Sequence, residues 1–319
     1  MWRSARQAFA KSPWSSHMRL HSLSRPPVQT NPVARHLVWG AAFTFGSFTV
    51  CAIAECRRFS QNLLEGRSWL DSKKFWDDIK KRPPHDQILL ERDYEPVLDR
   101  IRRRINSASD SSKLLGMITL ANIAVFGLWQ IPAPGVRRFM STLFVSDPLS
   151  RRLLPHLFSG FSHRTGFHLA FNMIALWSFG SPVCEAYGVE QFGFIYGSAL
   201  VVSSIASHMY SVRVGRIKPS LGASGGVLGI VSMFTFLHPD RRLVLMFLPF
   251  VSFPAWAGLA GIATFDSVGL MLGWQTFDHA AHLGGMLFGY MYSAKLHQWT
   301  WDQRRKLTDA LGVKPRSGR

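Results

Sequence analysis

Charge and oil are segregated along this chain. Seven runs carry little or no charge: His36 to Ala54, Leu114 to Pro134, Gly166 to Cys184, Gln191 to Ser211, Pro219 to Pro239, a long stretch from Leu243 to Phe277 broken by Asp266, and His279 to Ala294. About 18 such residues suffice to cross a bilayer as a helix. A soluble helical core would show apolar stripes separated by polar positions rather than unbroken runs. In lipid the backbone must satisfy its own hydrogen bonds, so each run predicts a helix. The long stretch predicts one helix, starting near Pro254. The pattern as a whole predicts an all-α polytopic membrane protein with seven spans.

What lies outside the runs differs in kind. Residues 57–113 hold ten of the nineteen acids and fourteen bases. Their segments WLDSKKFWDDIKK and YEPVLDRIRRRI read as amphipathic surface helices around the Pro83–Pro84 break. The RIRRR run sits among acids and beside a span, which suits a solvated face touching lipid headgroups, so no nucleic-acid partner is expected. The tail 297–319 is basic and polar. Residues 1–35 contain Arg3, Arg6, Lys11, Arg19, Arg25 and Arg35, frequent serines and no acid. A basic, serine-rich, acid-poor start is the signature of a mitochondrial transit segment. The expected organisation is 1–35 targeting segment, 36–56 extra N-terminal span, 57–113 charged connection, 114–296 core of six spans, and 297–319 tail.

Composition adds exclusions. With 47% hydrophobic residues in 319 and a formal charge of +18, the chain is not intrinsically disordered. Its three cysteines, Cys51, Cys56 and Cys184, lie in or beside apolar stretches. They form no CxxC and no Cys/His ligand spacing, so neither a disulfide scaffold nor a metal or other cofactor is expected.

The candidate chemistry comes from polar residues inside the runs, where they are costly. His168 and Asn172, at i and i+4, share one helix face. Ser224 opens the fifth run, and His279 and His282 open the seventh. The third, fifth and seventh spans all start on the same side, because two crossings separate each from the next. His168, Ser224 and His282 lie near the N-terminal ends of those spans and therefore in one leaflet. A serine, a histidine and amide donors at one depth suit acyl transfer. The histidine takes the serine proton and returns it to the leaving amine, while Asn172 and His168 steady the oxyanion. Gly285 and Gly289 follow His282 at i+3 and i+7, and Gly222, Gly225 and Gly226 surround Ser224. Small residues let membrane helices approach closely.

These residues resemble a known family. GASG at 222–225, AHLGGMLFG at 281–289 and HLAFN at 168–172 look like the rhomboid intramembrane serine proteases, over about residues 114–296, and His163 fits the family's spacing upstream of His168. The extra first span and transit-like start are similar to the mitochondrial presenilin-associated rhomboid-like subgroup. The resemblance implies a six-helix core with one added helix (1+6). It implies Ser224 as nucleophile and His282 as general base, a dyad without a carboxylate, with His168 and Asn172 in the oxyanion hole. The implied partners are single-span transmembrane substrates and membrane lipid.

Three positions depart from the family pattern or stand beside it. The loop SRRLLPHLFSGF lacks the family's Trp-Arg. Leu228 stands where some members place a tyrosine against the histidine, so His282 needs another way to be oriented. Asp278 is expected at the interface and His279 as a bystander.

With the N-terminus in the matrix, the loops at 133–165 and 212–218 and the active site face the matrix of the inner membrane. Their arginines fit a positive-inside bias, against which the basic tail runs. The rival reading is a catalytically silent membrane chaperone or adaptor for single-span clients. Intact Ser224 and His282 argue against it.

Overall fold

The structure, a computed structural model, describes residues 32–69, 103, 106–245 and 248–311. The basic start up to residue 31 and all but Trp69 and Arg103 of the surface helices expected at 69–81 and 94–105 lie outside the described residues. Helix α1 (Pro32–Trp69) carries the first apolar run and continues past it into the polar segment. After it come α2 (Asp110–Gln130), α3 (Pro134–Leu143) and the single-turn α4 (Pro155–Phe158). The long helices α5 (Gly166–Tyr187) and α6 (Val189–Arg213) follow, then α7 (Ser224–Leu237), strands β1 (Arg242–Leu245) and β2 (Leu248–Pro254), α8 (Ala255–Leu272) and α9 (His279–Met291). The last helix runs on through a π-helical turn at Tyr292–Leu296 into α10 (His297–Thr300) and, after a 3₁₀ turn, α11 (Arg304–Ala310).

Local chemistry sets the helix starts. Ser109 caps α2 by accepting from the Ser112 amide at 3.2 Å, Thr165 caps α5 through the His168 amide at 3.1 Å, and Asp278 caps α9 through the Ala281 amide at 3.2 Å. Each cap satisfies a backbone donor that the first turn leaves free. Gly273, with φ 67°, ends α8 in the left-handed conformation.

The bundle is arranged around α6. In the apolar window of α6, 72% of residues are buried, against 17% in α1 and in α8. Exposed apolar side chains on those outer helices (Val38, Phe45, Trp256, Met271) face where lipid would be. Helices α1, α2, α6 and α8 are each long and apolar enough to cross a membrane. Helices α5, α7 and α9 complete a set of seven consistent with the 1+6 expectation. Helix α1 packs along α6 and is fixed beyond its apolar run by ion pairs. Arg58 meets Glu190 at 2.7 Å and Asp110 at 3.0 Å, and Glu55 pairs with Arg304.

Two details differ from the sequence pattern. The run from Leu243 to Phe265 is not one element. Its first part folds as an antiparallel hairpin, pairing Arg242 with Pro254 and Leu243 with Phe253, and only from Ala255 does it become helix, with Pro254 as its N-cap. Pro254 marks the change because proline disfavours helical geometry in the residue before it and suits a helix start. The fifth run is also not helical throughout. It crosses residues 219–223 as a loop bridged through Ser220 to Ser146, and α7 begins at Ser224 itself.

Candidate active site

The loop entering α7 is built around Gly222. Its φ of 130° lies where L side chains are strained, and a Cβ there would stand 2.8 Å from the His168 ring. Its amide donates to the Ser159 carbonyl at 3.0 Å, which fixes the loop against the turn before α5. Ser224 is the first residue of α7, so the amides that follow belong to the first turn, which has no intrahelical acceptors. Those amides and the positive end of the helix face the region around the Ser224 hydroxyl.

Close packing of α7 on α9 brings His282 to that hydroxyl. A Cβ on Gly285 would overlap the Gly225 carbonyl, and one on Gly289 would overlap the Gly229 carbonyl. The two backbones touch without intervening side chains. Across this contact His282 Nε2 lies 2.9 Å from Ser224 Oγ.

The other face of His282 meets a residue to which sequence reasoning gave no role. Asp266, on α8, is 1% exposed. Its Oδ1 and Oδ2 lie 3.1 and 3.2 Å from His282 Nδ1. Its Oδ1 is also 2.5 Å from His279 Nδ1. An ionised carboxylate only accepts, and in that form it would place hydrogen on both Nδ1 atoms and leave His282 Nε2 as the acceptor for the serine hydroxyl. The expectation of a pair without a carboxylate thus meets a buried carboxylate in contact with the histidine. His279, expected as a bystander, is buried and bonded to the same carboxylate. The Asp278 carboxylate does stand apart from the His282 ring, accepting from the Ala281 amide and, at 2.7 Å, from the Ser207 hydroxyl, while only its backbone carbonyl meets the His282 amide, at 3.0 Å. The missed signal was available: Asp266 interrupts an apolar helix, and a helix running the opposite way ends in the leaflet where α9 begins.

His168 and Asn172 occupy one face of α5 as their spacing requires. The His168 ring adjoins Gly222, next to Ser224. The Asn172 side chain donates one N–H to the His168 carbonyl at 2.7 Å, leaving its second N–H uncommitted. His163 stacks edge-on against His168, with ring centroids 4.9 Å apart. Burial, then the adjacent His168, pushes the His163 imidazole down to about 3, so it is a neutral ring. Around the mouth, Lys218 donates to the Gln275 carbonyl at 2.5 Å, joining the loop before α7 to the loop before α9.

Comparison with known proteins agrees with this architecture. Residues 150–299 match the Rhomboid domain, a span that contains Ser224, His282, Asp266, His168 and Asn172. The mouse protein named "Presenilin-associated rhomboid-like protein, mitochondrial" is 39% identical over 277 residues, covering 86% of this chain and 70% of the mouse protein. The human protein of the same name is 39% identical over 278 residues, with the same coverage. "Rhomboid protein 1, mitochondrial" of Saccharomyces cerevisiae is 34% identical over 195 residues, 60% of this chain and 55% of the yeast protein. With the helical bundle, the motif-bearing helices and relatives of this extent in agreement, the chain belongs to the rhomboid family, in its mitochondrial presenilin-associated rhomboid-like branch.

Proposed function

We propose that the chain is a serine endopeptidase that cleaves transmembrane segments of mitochondrial inner-membrane proteins. Rhomboid membership supports intramembrane proteolysis in general, and the mitochondrial relatives support the compartment. The observation that carries the serine mechanism is the 2.9 Å contact between Ser224 Oγ and His282 Nε2, with Asp266 on the far side of the ring. His282 accepts the Ser224 proton as the hydroxyl attacks the scissile carbonyl. The imidazolium that forms is balanced by Asp266, and the proton then passes to the leaving amine. Water completes hydrolysis of the acyl-enzyme. Asp266 holds the productive tautomer and does the orienting that Leu228 cannot do.

The first-turn amides of α7, His168 and the free N–H of Asn172 supply donors for the oxyanion. The substrate is a single-span membrane protein with its scissile region unwound, since a helical peptide bond is shielded by its own hydrogen bonding. Arg151, Arg152, Arg164, Arg213, Arg216 and Lys218 belong to loops on the active-site face. Glu185 and Glu190 lie at the opposite ends of α5 and α6. By the positive-inside tendency this favours an active site opening toward the matrix, with the N-terminus on the same side.

The test is a fluorophosphonate probe with the purified full-length chain, read by mass spectrometry, alongside cleavage of a single-span substrate in liposomes. The probe should modify Ser224 alone, and Ser224→Ala should neither label nor cleave. Residual cleavage by purified Ser224→Ala would sink the assignment, and a folded wild type that neither labels nor cleaves would favour the silent-adaptor reading.

A further inference from the structure

A second histidine assembly lies away from the active site. His36 on α1, His156 on α4 and His208 on α6 are each at least 97% buried, with exposures of 2%, 1% and 3%. Their ring centroids are 4.7 Å (His36–His156), 4.6 Å (His156–His208) and 5.5 Å (His36–His208) apart. One nitrogen from each ring lies within 4.8 Å of the other two. Two serine hydroxyls line the cluster. Ser204 Oγ is 2.9 Å from His156 Nδ1 and from Ser146 Oγ, and Ser146 Oγ is 2.9 Å from His208 Nε2.

Hydrogen bonding alone does not complete this group. Four of the six ring nitrogens have partners, including His156 Nε2 and His36 Nδ1 at 2.8 Å from each other. His36 Nε2 and His208 Nδ1 are buried without a well-formed hydrogen bond, the backbone of Ser150 and of Ser146 being the nearby polar groups for the two rings. Buried polar atoms are nearly always satisfied, so each exception calls for a cause. Beside those unmatched atoms the three rings converge as a ligand set, since neutral imidazole is a preferred ligand of zinc, copper and nickel. With Zn–N distances of ~2.0–2.1 Å, tetrahedral nitrogens stand about 3.3 Å apart. The 2.8 Å pair need open by only a few tenths of an ångström, and the widest spacing close by side-chain rotation.

We propose that His36, His156 and His208 form a binding site for one transition-metal ion, with a fourth position open to a serine hydroxyl or water. Sequence spacing gave no hint of it, because the ligands come from three elements separated by 120 and 52 positions. The ion would clamp the extra helix α1 onto the core. It would also sit behind the active-site loop by two backbone paths. Ser159, just past α4, accepts the Gly222 amide, and Ser146 pairs with Ser220 through both of their backbone bonds, at 3.0 and 2.8 Å.

The test uses the purified full-length chain in detergent, stripped with a chelator and then dialysed against zinc. About one zinc per chain should remain after gel filtration, measured by elemental analysis. X-ray absorption at the zinc edge should show imidazole nitrogens at ~2.0 Å. Zinc should raise the thermal midpoint, because an ion that binds only the folded state stabilises it. His36→Asn and His208→Asn should each weaken binding more than ~100-fold, beyond the ~10–100-fold typical of a lost outer-shell partner. His282→Ala should retain the ion, which separates this site from the His279–Asp266–His282 group. No zinc retained by the wild type, a sulfur shell in the absorption spectrum, or equal retention by His36→Asn and His208→Asn would each overturn the proposal. The spectrum needs no variant, so a misfolded mutant leaves the question decidable.

Discussion

Two groups of histidines sit inside this bundle, one wholly buried and one reaching the half-buried His282, and they differ by one carboxylate. At the active site, Asp266 faces Nδ1 of both His282 and His279. That fixes the protons on one side of each ring and turns the lone pair of His282 toward Ser224. In the group formed by His36, His156 and His208, serine hydroxyls, the other rings and the backbone of Ser146 and Ser150 are at hand, with no carboxylate among the described contacts, and a hydroxyl accepts as readily as it donates. No carboxylate sets the ring protons there, and two nitrogens lack a well-formed hydrogen bond. An acid in apolar surroundings turns a histidine into a directed base. Without one, histidines remain a set of neutral donors suited to an ion.

The comparison is broken most completely at the serine. Ser224→Ala and His282→Ala should each abolish cleavage, and the double variant should be no slower than either single one, because members of one nucleophilic unit are non-additive. Single-turnover cleavage in liposomes measures this, with insertion checked by protease accessibility. If the double variant lost clearly more than either single one, the two residues would be acting independently.

The carboxylate comes next. Asp266→Asn keeps the shape and removes the acceptor that sets the tautomer, and equivalent losses in soluble triads run to ~10⁴-fold. A loss of ~10³–10⁴ in turnover is expected, with probe labelling of Ser224 slowed in parallel. Wild-type turnover in that variant would reduce Asp266 to a packing residue.

Gly289→Val should cost about 10²-fold or more, because its side chain would meet the Gly229 carbonyl and move α9 away from α7. Tyr290→Val, at a position 56% exposed, is the control and should be tolerated. A fully active Gly289→Val would mean that backbone contact does not position His282.

The smallest effect is expected at Asn172. Loss of a dedicated oxyanion donor costs ~10²–10³. One N–H of Asn172 is already committed to the His168 carbonyl, and the α7 amides share the work. Asn172→Ala should therefore slow turnover by about tenfold. A loss as deep as that of Ser224→Ala would make it the principal donor.

Much of this arrangement was legible in the chain because membrane helices announce themselves. Runs without charge gave the helices, and counting crossings put His168, Ser224 and His282 at one depth. The start of α8 was readable from Pro254. The hairpin before it was not, since an apolar run in a membrane protein reads as helix, and the pairing of Leu243 with Phe253 is visible only in three dimensions. In the sequence Asp266 reads only as a break in an apolar run, because its helix ends rather than begins in the leaflet of Ser224 and carries no motif there. The His36 group had no signature at all, since its members share neither a helix nor a spacing.

The pairing of Glu55 with Arg304 spans 249 positions of sequence, and α1 packs along α6, whose residues begin at Val189. Contacts this far apart form late, because the intervening chain must be in place first. Helix α1 is thus among the last to gain its full set of neighbours. Glu55 gains Arg304 only when the last described helix is in place, whereas Arg58 meets Asp110 on the next helix, α2. Arrival of the final helix closes the assembly, so a break in the tail should be felt first in how α1 is held.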